Sequence, residues 1–428
     1  MMKGNIKKIL YLIFFSIAIF SCIEEIDIES NEEFDSLLVV EATITNMHEF
    51  QEVKLSRTRS LDSVDITSKS CERFAQVIVK EDAGTEYVFE EVDECGTYRS
   101  KLPFAAKENV DYRLLVTTSN GRQYSSLDMK LTSFAIINDL YAEREFNELG
   151  EDGISIYVDT YNQSNNLQFY RYEYEETYKV IAPWYSSREL VPSDVSFPFP
   201  LSNFPTLDPQ YIIDFLVEMK FRDEQQQICF NTVESNNILI ANTSSFSGNS
   251  LDRFKIRFIN SENYIISHRY SILVRQIVQS SQAYTYYENL KSFSESESLL
   301  SETQNGFIEG NIFSESSSNE KIVGFFEVAS VDEKRIFFNY SDLFPEEELP
   351  PYYINCDNFF APALLVEDFA HNVIRSPLIE ALNQGYKFYD ENDESYSIFE
   401  GGPFILVFEP CGDCTVLGKN FAPDFWAD

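Results

Sequence analysis

Apolar and polar residues alternate with a period of two along much of the chain, the spacing that sends successive side chains to opposite faces of a β-strand. Val40, Ala42 and Ile44 alternate with Glu41, Thr43 and Thr45, and Ala75, Val77 and Val79 with Gln76 and Lys80. Tyr112, Leu114 and Val116 form a third inward set. Asn120-Gly121 follows, a dipeptide suited to a type I′ hairpin turn that returns through 122–126. Several short strands without an amphipathic helix predict a β-sandwich of immunoglobulin or fibronectin type III kind over 34–133.

A larger β-rich domain is predicted over 134–428, with one or two short helices. Ile154, Ile156 and Val158 alternate with Ser155, Tyr157 and Asp159. The clearest alternation lies at 169–175, where Tyr170, Tyr172 and Tyr174 share one face and Arg171, Glu173 and Glu175 the other. Residues 183–209 hold six of the fifteen prolines, which remove backbone donors and predict an irregular excursion. Residues 270–279 read as a buried strand, after which Ser280 or Ser281 caps a helix through Lys291 carrying Tyr284, Tyr287 and Leu290. Further strands are expected at 321–330 and 335–340, with an acidic, proline-containing loop at 345–351.

The N-terminus breaks this pattern. Lys3, Lys7 and Lys8 precede an apolar run over 9–20 that a helix would carry only about 18 Å, short of a hydrocarbon core of roughly 30 Å. Residues 1–21 therefore read as a signal peptide, and Ile19-Phe20-Ser21-Cys22 resembles a bacterial lipobox whose cysteine is lipidated. An ordinary secretory signal with an incidental cysteine is the alternative. Residues 22–33, with six acids and no bases, form a solvated tether. Acids directly after the lipid cysteine (Glu24, Glu25, Asp27) resemble a surface-export signal and place the expectation on the outer leaflet.

Charge narrows the partners. Losing residues 1–21 removes three lysines and no acid, so the formal charge moves from −37 to −40. A surface this acidic repels phosphate backbones and argues against nucleic acid. Aromatic content of 15%, with 25 Tyr and 37 Phe, favours a folded and strand-rich chain.

Beyond Cys22, six cysteines remain: Cys71, Cys95, Cys229, Cys356, Cys411 and Cys414. In an exported chain an even number predicts disulfides, with Cys71–Cys95 the first pair and the other partners open. The Cys411-Gly412-Asp413-Cys414 motif also fits redox or zinc chemistry, the latter with Cys229 and Cys356 as further ligands. No βαβ pattern surrounds it, so structural disulfides are the expectation. His48, His268 and His371 form no metal or catalytic spacing, and 390–394 lacks the ligand spacing and glycine of a calcium loop. No catalytic residues, metal or cofactor are assigned, apart from lipid on Cys22. Trp184, Tyr185, Phe197, Phe199 and Phe204 are candidate interface residues, the alternative being that they fold back onto the core.

Several segments together resemble the outer-membrane lipoproteins of Bacteroidota grouped as domain of unknown function 4249. They are 170–177, Cys229 before a strand, 269–290, Gly310-Asn311-Ile312, Gly324-Phe325-Phe326-Glu327, and Cys411-Gly412-Asp413-Cys414 through Phe425-Trp426. Phe230 and Tyr178 stand where the resemblance leads one to expect tryptophan. It implies an immunoglobulin-type N-terminal module, no established catalytic residues, and a TonB-dependent receptor as companion. The expectation is a surface-exposed outer-membrane lipoprotein, an accessory subunit aiding capture or uptake of an unidentified ligand. A free-standing binding or adhesion lipoprotein is the alternative.

Overall fold

The computed structural model describes residues 36–59, 70–92, 95–161, 167–193, 208–245, 250–295, 307–368, 373–393 and 401–427. Cys22, the acidic tether, Phe197, Phe199, Phe204, His371 and Glu394 lie outside these. The architecture is mainly β, with a large multistrand sheet and short helices.

Seven strands come first: β1 (Leu38–Thr45), β2 (Glu52–Arg57), β3 (Gln76–Glu81), β4 (Glu86–Glu91), β5 (Thr97–Ser100), β6 (Tyr112–Thr117) and β7 (Gln123–Ser126). Their alternation is as the sequence predicts. Val40 and Ile44 are fully buried, as are Val77, Val79 and Tyr112, with Leu114 nearly so. The turn after β6 differs from the expected type I′. Only Gly121 has positive φ (+84°), and Gly121 N–H donates to the Thr118 carbonyl while Thr118 N–H donates to Arg122. This is a type I turn closed by a glycine bulge, which needs one left-handed residue instead of two.

Long strands follow: β8 (Ile136–Phe146), β9 (Asp152–Tyr161) and β10 (Phe169–Ile181). Then come β11 (Arg188–Pro192), α1 (Pro209–Leu216), β12 (Val217–Phe221), β13 (Ile228–Glu234), β14 (Leu239–Asn242), β15 (Ser250–Asn260) and β16 (Arg269–Gln279). Helix α2 (Ser281–Glu295) starts where predicted, with Ser280 Oγ accepting from Ala283 N–H at 3.1 Å. After β17 (Ile312–Ser314), β18 (Ile322–Asn339) is one strand where two were expected. Its polar middle, which reads as a break, finds partners instead. Asp332 accepts from Ile137 N–H at 2.7 Å, and Lys334 Nζ pairs with Asp139 at 3.1 Å. The chain ends with α3 (Tyr340–Leu343), β19 (Val366–Asp368), β20 (Val373–Arg375), α4 (Pro377–Asn383), β21 (Lys387–Glu391), β22 (Phe404–Val407) and α5 (Glu409–Gly412).

One sheet carries the order β13-β10-β16-β18-β1-β2-β5-β4-β3-β6-β7-β17, with β14 also on β10. The 34–133 strands thus continue into later ones, β1 lying parallel to β18 and β17 adding beyond β7. The path curls until the segment entering β17 returns to β18. There the buried Asn311 amide acts as an extra rung: its Nδ2 donates to the Phe326 carbonyl and its Oδ1 accepts from Phe326 N–H, both at 2.8 Å. Two glycines permit the approach. A Cβ on Gly310 would strike the Gly324 carbonyl, and one on Gly324 would strike that of Val40.

Three cores result. One lies inside the curled strands, capped by Ala283 and Tyr286 of α2. A second fills the space between the β10-β16-β18 face and the separate sheet β15-β9-β8, and takes in Tyr170, Tyr172 and Tyr174. The third joins α1, α4, β21 and β22. Disulfides Cys71–Cys95, Cys229–Cys414 and Cys356–Cys411 hold loops and the tail to this frame.

Candidate functional site

Burying the tyrosine face of β10 obliges its charged face to line the opposite side of the sheet. Register carries that side across neighbouring strands. Glu173 faces Arg275 and Glu175 faces Leu273 on β16, while Glu41 faces Lys54 between β1 and β2. These residues line two contiguous lobes of one cleft, about 510 and 410 Å³, with Tyr287 of α2 lining both.

Arg171 is the pivot. Its side chain is only 10% exposed. Nη2 pairs with Glu327 Oε2 at 3.2 Å, Nη1 pairs with Glu173, and the guanidinium sits 4.5 Å from the Tyr287 ring centroid. Glu327 also accepts from Gln279 Nε2 at 3.4 Å. Burial pushes the Glu327 carboxyl above its usual range against the pull of Arg171. Tyr287 likewise stays a neutral phenol, chiefly through burial. Among the described residues, Arg171 Nε, Gln279 Oε1 and Glu327 Oε1 are buried without a protein hydrogen-bond partner, so this polar cluster is incompletely satisfied there.

Most wall charges are paired. Arg275 Nε meets Glu333 at 2.6 Å, Arg335 Nη2 meets Glu175 at 2.7 Å, and Arg99 Nη2 meets Glu52 at 2.6 Å. Glu41, Lys54 and Glu234 line the cleft outside any ion pair among the described residues. Fixed charges of both signs on strands, with one aromatic wall, suit recognition of a polar or zwitterionic surface. Beyond the cleft on the same face, Arg335 lies 3.6 Å from the Phe425 ring centroid, and Trp426 packs on Phe230 and Phe337. The C-terminal tail thus straps the far part of the sheet.

The candidates from sequence fall elsewhere. Trp184 is half-buried against Phe359 and Tyr389, 5.1 and 5.4 Å between centroids, and its backbone N–H donates to the Cys411 carbonyl. Tyr185 packs against the second core beneath Arg222. Cys411 and Cys414 take different partners, Cys356 and Cys229, so all four sulfurs of the zinc alternative are in disulfides. Asp413 between them is buried, accepts from Thr415 N–H at 2.9 Å and pairs with Lys387 at 3.3 Å. The cleft itself was missed in sequence. Its signal was the alternation at 169–175: an arginine and two glutamates on a strand paired on both sides.

Fold and site define a disulfide-stapled, mainly β protein with a charged cleft on the face of its largest sheet. The chain belongs to the family described as domain of unknown function (DUF4249), whose family model matches residues 23–335. That span includes every cleft residue named above. No curated protein matches the chain.

Proposed function

We propose that this protein is a lipid-anchored binding subunit of the outer-membrane surface, accessory to a TonB-dependent receptor, and that the cleft around Arg171 meets the ligand or the receptor. The observation that carries the anchor is the N-terminal run: a short apolar segment ending at Cys22, followed by six acids. Lipid on Cys22, and not a membrane-spanning helix, holds the chain to the bilayer. The role is binding rather than catalysis, supported by wall charges that are mostly engaged with one another on rigid strands. Affinity purification of the tagged chain from native membranes tests the reading. Recovery of an outer-membrane barrel supports it; recovery of the chain alone, with ligand binding intact, favours the free-standing adhesion or binding protein.

A further inference from the structure

A separate pocket of about 400 Å³ opens where β10, β16 and β18 end. Its walls include Lys179, His268, Arg269, Asn339, Ser341 and Leu349. Among the described residues that line it, three side chains are basic and none is a carboxylate, on a chain of formal charge −37.

Register makes this grouping costly. Thr177 faces Ser271 and Tyr178 faces Tyr270, so one step further Lys179 stands opposite Arg269. Like charges directly opposite on neighbouring strands destabilise a sheet. Nothing within the described residues offsets them. Arg269 meets neutral groups: Asn339 Oδ1 at 3.3 Å, the Ala427 carbonyl, and the Phe337 ring at 5.1 Å. Lys179 and His268 form no ion pair or side-chain hydrogen bond among the described residues. Two acids adjoin lining residues in sequence: Asp342 is taken by Asn339, whose backbone N–H and Nδ2 donate at 2.7 and 3.2 Å, and Glu348, beside Leu349, is exposed and does not line the pocket. The titratable groups lining the pocket beside His268 are Lys179, Arg269 and Tyr340. Burial, then the Lys179 charge, hold His268 below the usual imidazole range, as expected of a site short of negative charge.

We propose that this pocket binds a phosphate-class oxyanion, bridged by Lys179 and Arg269 across the strand pair, with His268 and Ser341 as further donors. The volume exceeds that of inorganic phosphate, so the natural ligand carries a larger body that rests on Leu349. Its source is either a soluble phosphate ester or a lipid headgroup. The inference stands on this pocket alone and does not rest on the receptor reading.

The test uses the full mature chain carrying Cys22→Ser, so that no lipid anchor contributes to vesicle binding, in phosphate-free buffer. Calorimetry with inorganic phosphate and with glycerol 3-phosphate, and sedimentation with phosphatidylglycerol–phosphatidylcholine vesicles, read binding to the two sources. Expected is saturable binding in at least one arm, weakened tenfold or more in Lys179→Gln. Binding of the soluble probes assigns a free ester, and binding of vesicles alone assigns a headgroup. The melting temperature of ligand-free Lys179→Gln should be unchanged or higher, since a repulsive contact is removed. For a soluble ligand, the wild-type His268 titration midpoint, identified by its absence in His268→Gln, should also rise on adding phosphate. Binding in no arm, or binding undiminished in Lys179→Gln, overturns the proposal.

Discussion

Arg171 and Glu327 show how a single buried pair organises the cleft floor. The raised Glu327 carboxyl means that desolvation outweighs the arginine's attraction. Arg171→Met leaves that carboxylate unpaired and should cost about 3–5 kcal/mol in denaturant unfolding. Adding Glu327→Gln should recover most of the loss, and a double variant no more stable than the single would refute the assignment. Glu145 behaves oppositely. Hydrogen bonds from Lys255 and Ser155 lead the causes that bring its carboxyl down to about 2. Its stabilising contribution is therefore complete above about pH 4.5 and is lost as pH falls toward 2. Glu145→Gln should be less stable than wild type at pH 7, with the gap closing across that window in acid-unfolding curves.

At the scale of elements, the joints matter more than the strands. Asn311 supplies two hydrogen bonds that close the curled sheet on β18. Asn311→Ala strands the Phe326 N–H and carbonyl and should cost about 2–4 kcal/mol by thermal or chemical denaturation. Cys229–Cys414 closes a long loop, 185 residues in sequence separation, and ties the tail to β13. Cys414→Ser should lower stability by about 2–5 kcal/mol and speed proteolysis after 415, read by mass spectrometry. Strand faces such as Val40-Ala42-Ile44 were legible because one side is buried and the other wet. The single strand β18 was not, because Asp332 and Lys334 find their partners only across to β8. The hairpin after β6 was legible as a turn, but its type depends on which residue takes positive φ, and only Gly121 does.

For the molecule as a whole, sequence order hides what the sheet joins. β1 and β18 lie almost three hundred residues apart yet run side by side, a parallel pairing that no local pattern announces. The cleft spans that joint, so its residues come from β1, β2, β10, β16 and α2 at once. Alternation at 169–175 revealed the charged face, while the elements around it could come only from topology. The cysteines beyond the Cys71–Cys95 pair were unreadable for the same reason, since Cys356 meets Cys411 only where both pack against Val407 of β22. We propose that the mature chain starts at a lipidated Cys22 and works against an outer-membrane barrel. Native mass spectrometry of the complex extracted gently from its own membranes tests this most directly. The expected particle holds the chain from Cys22 with its lipid and one TonB-dependent barrel, whereas an unlipidated chain free of any barrel would contradict this proposal.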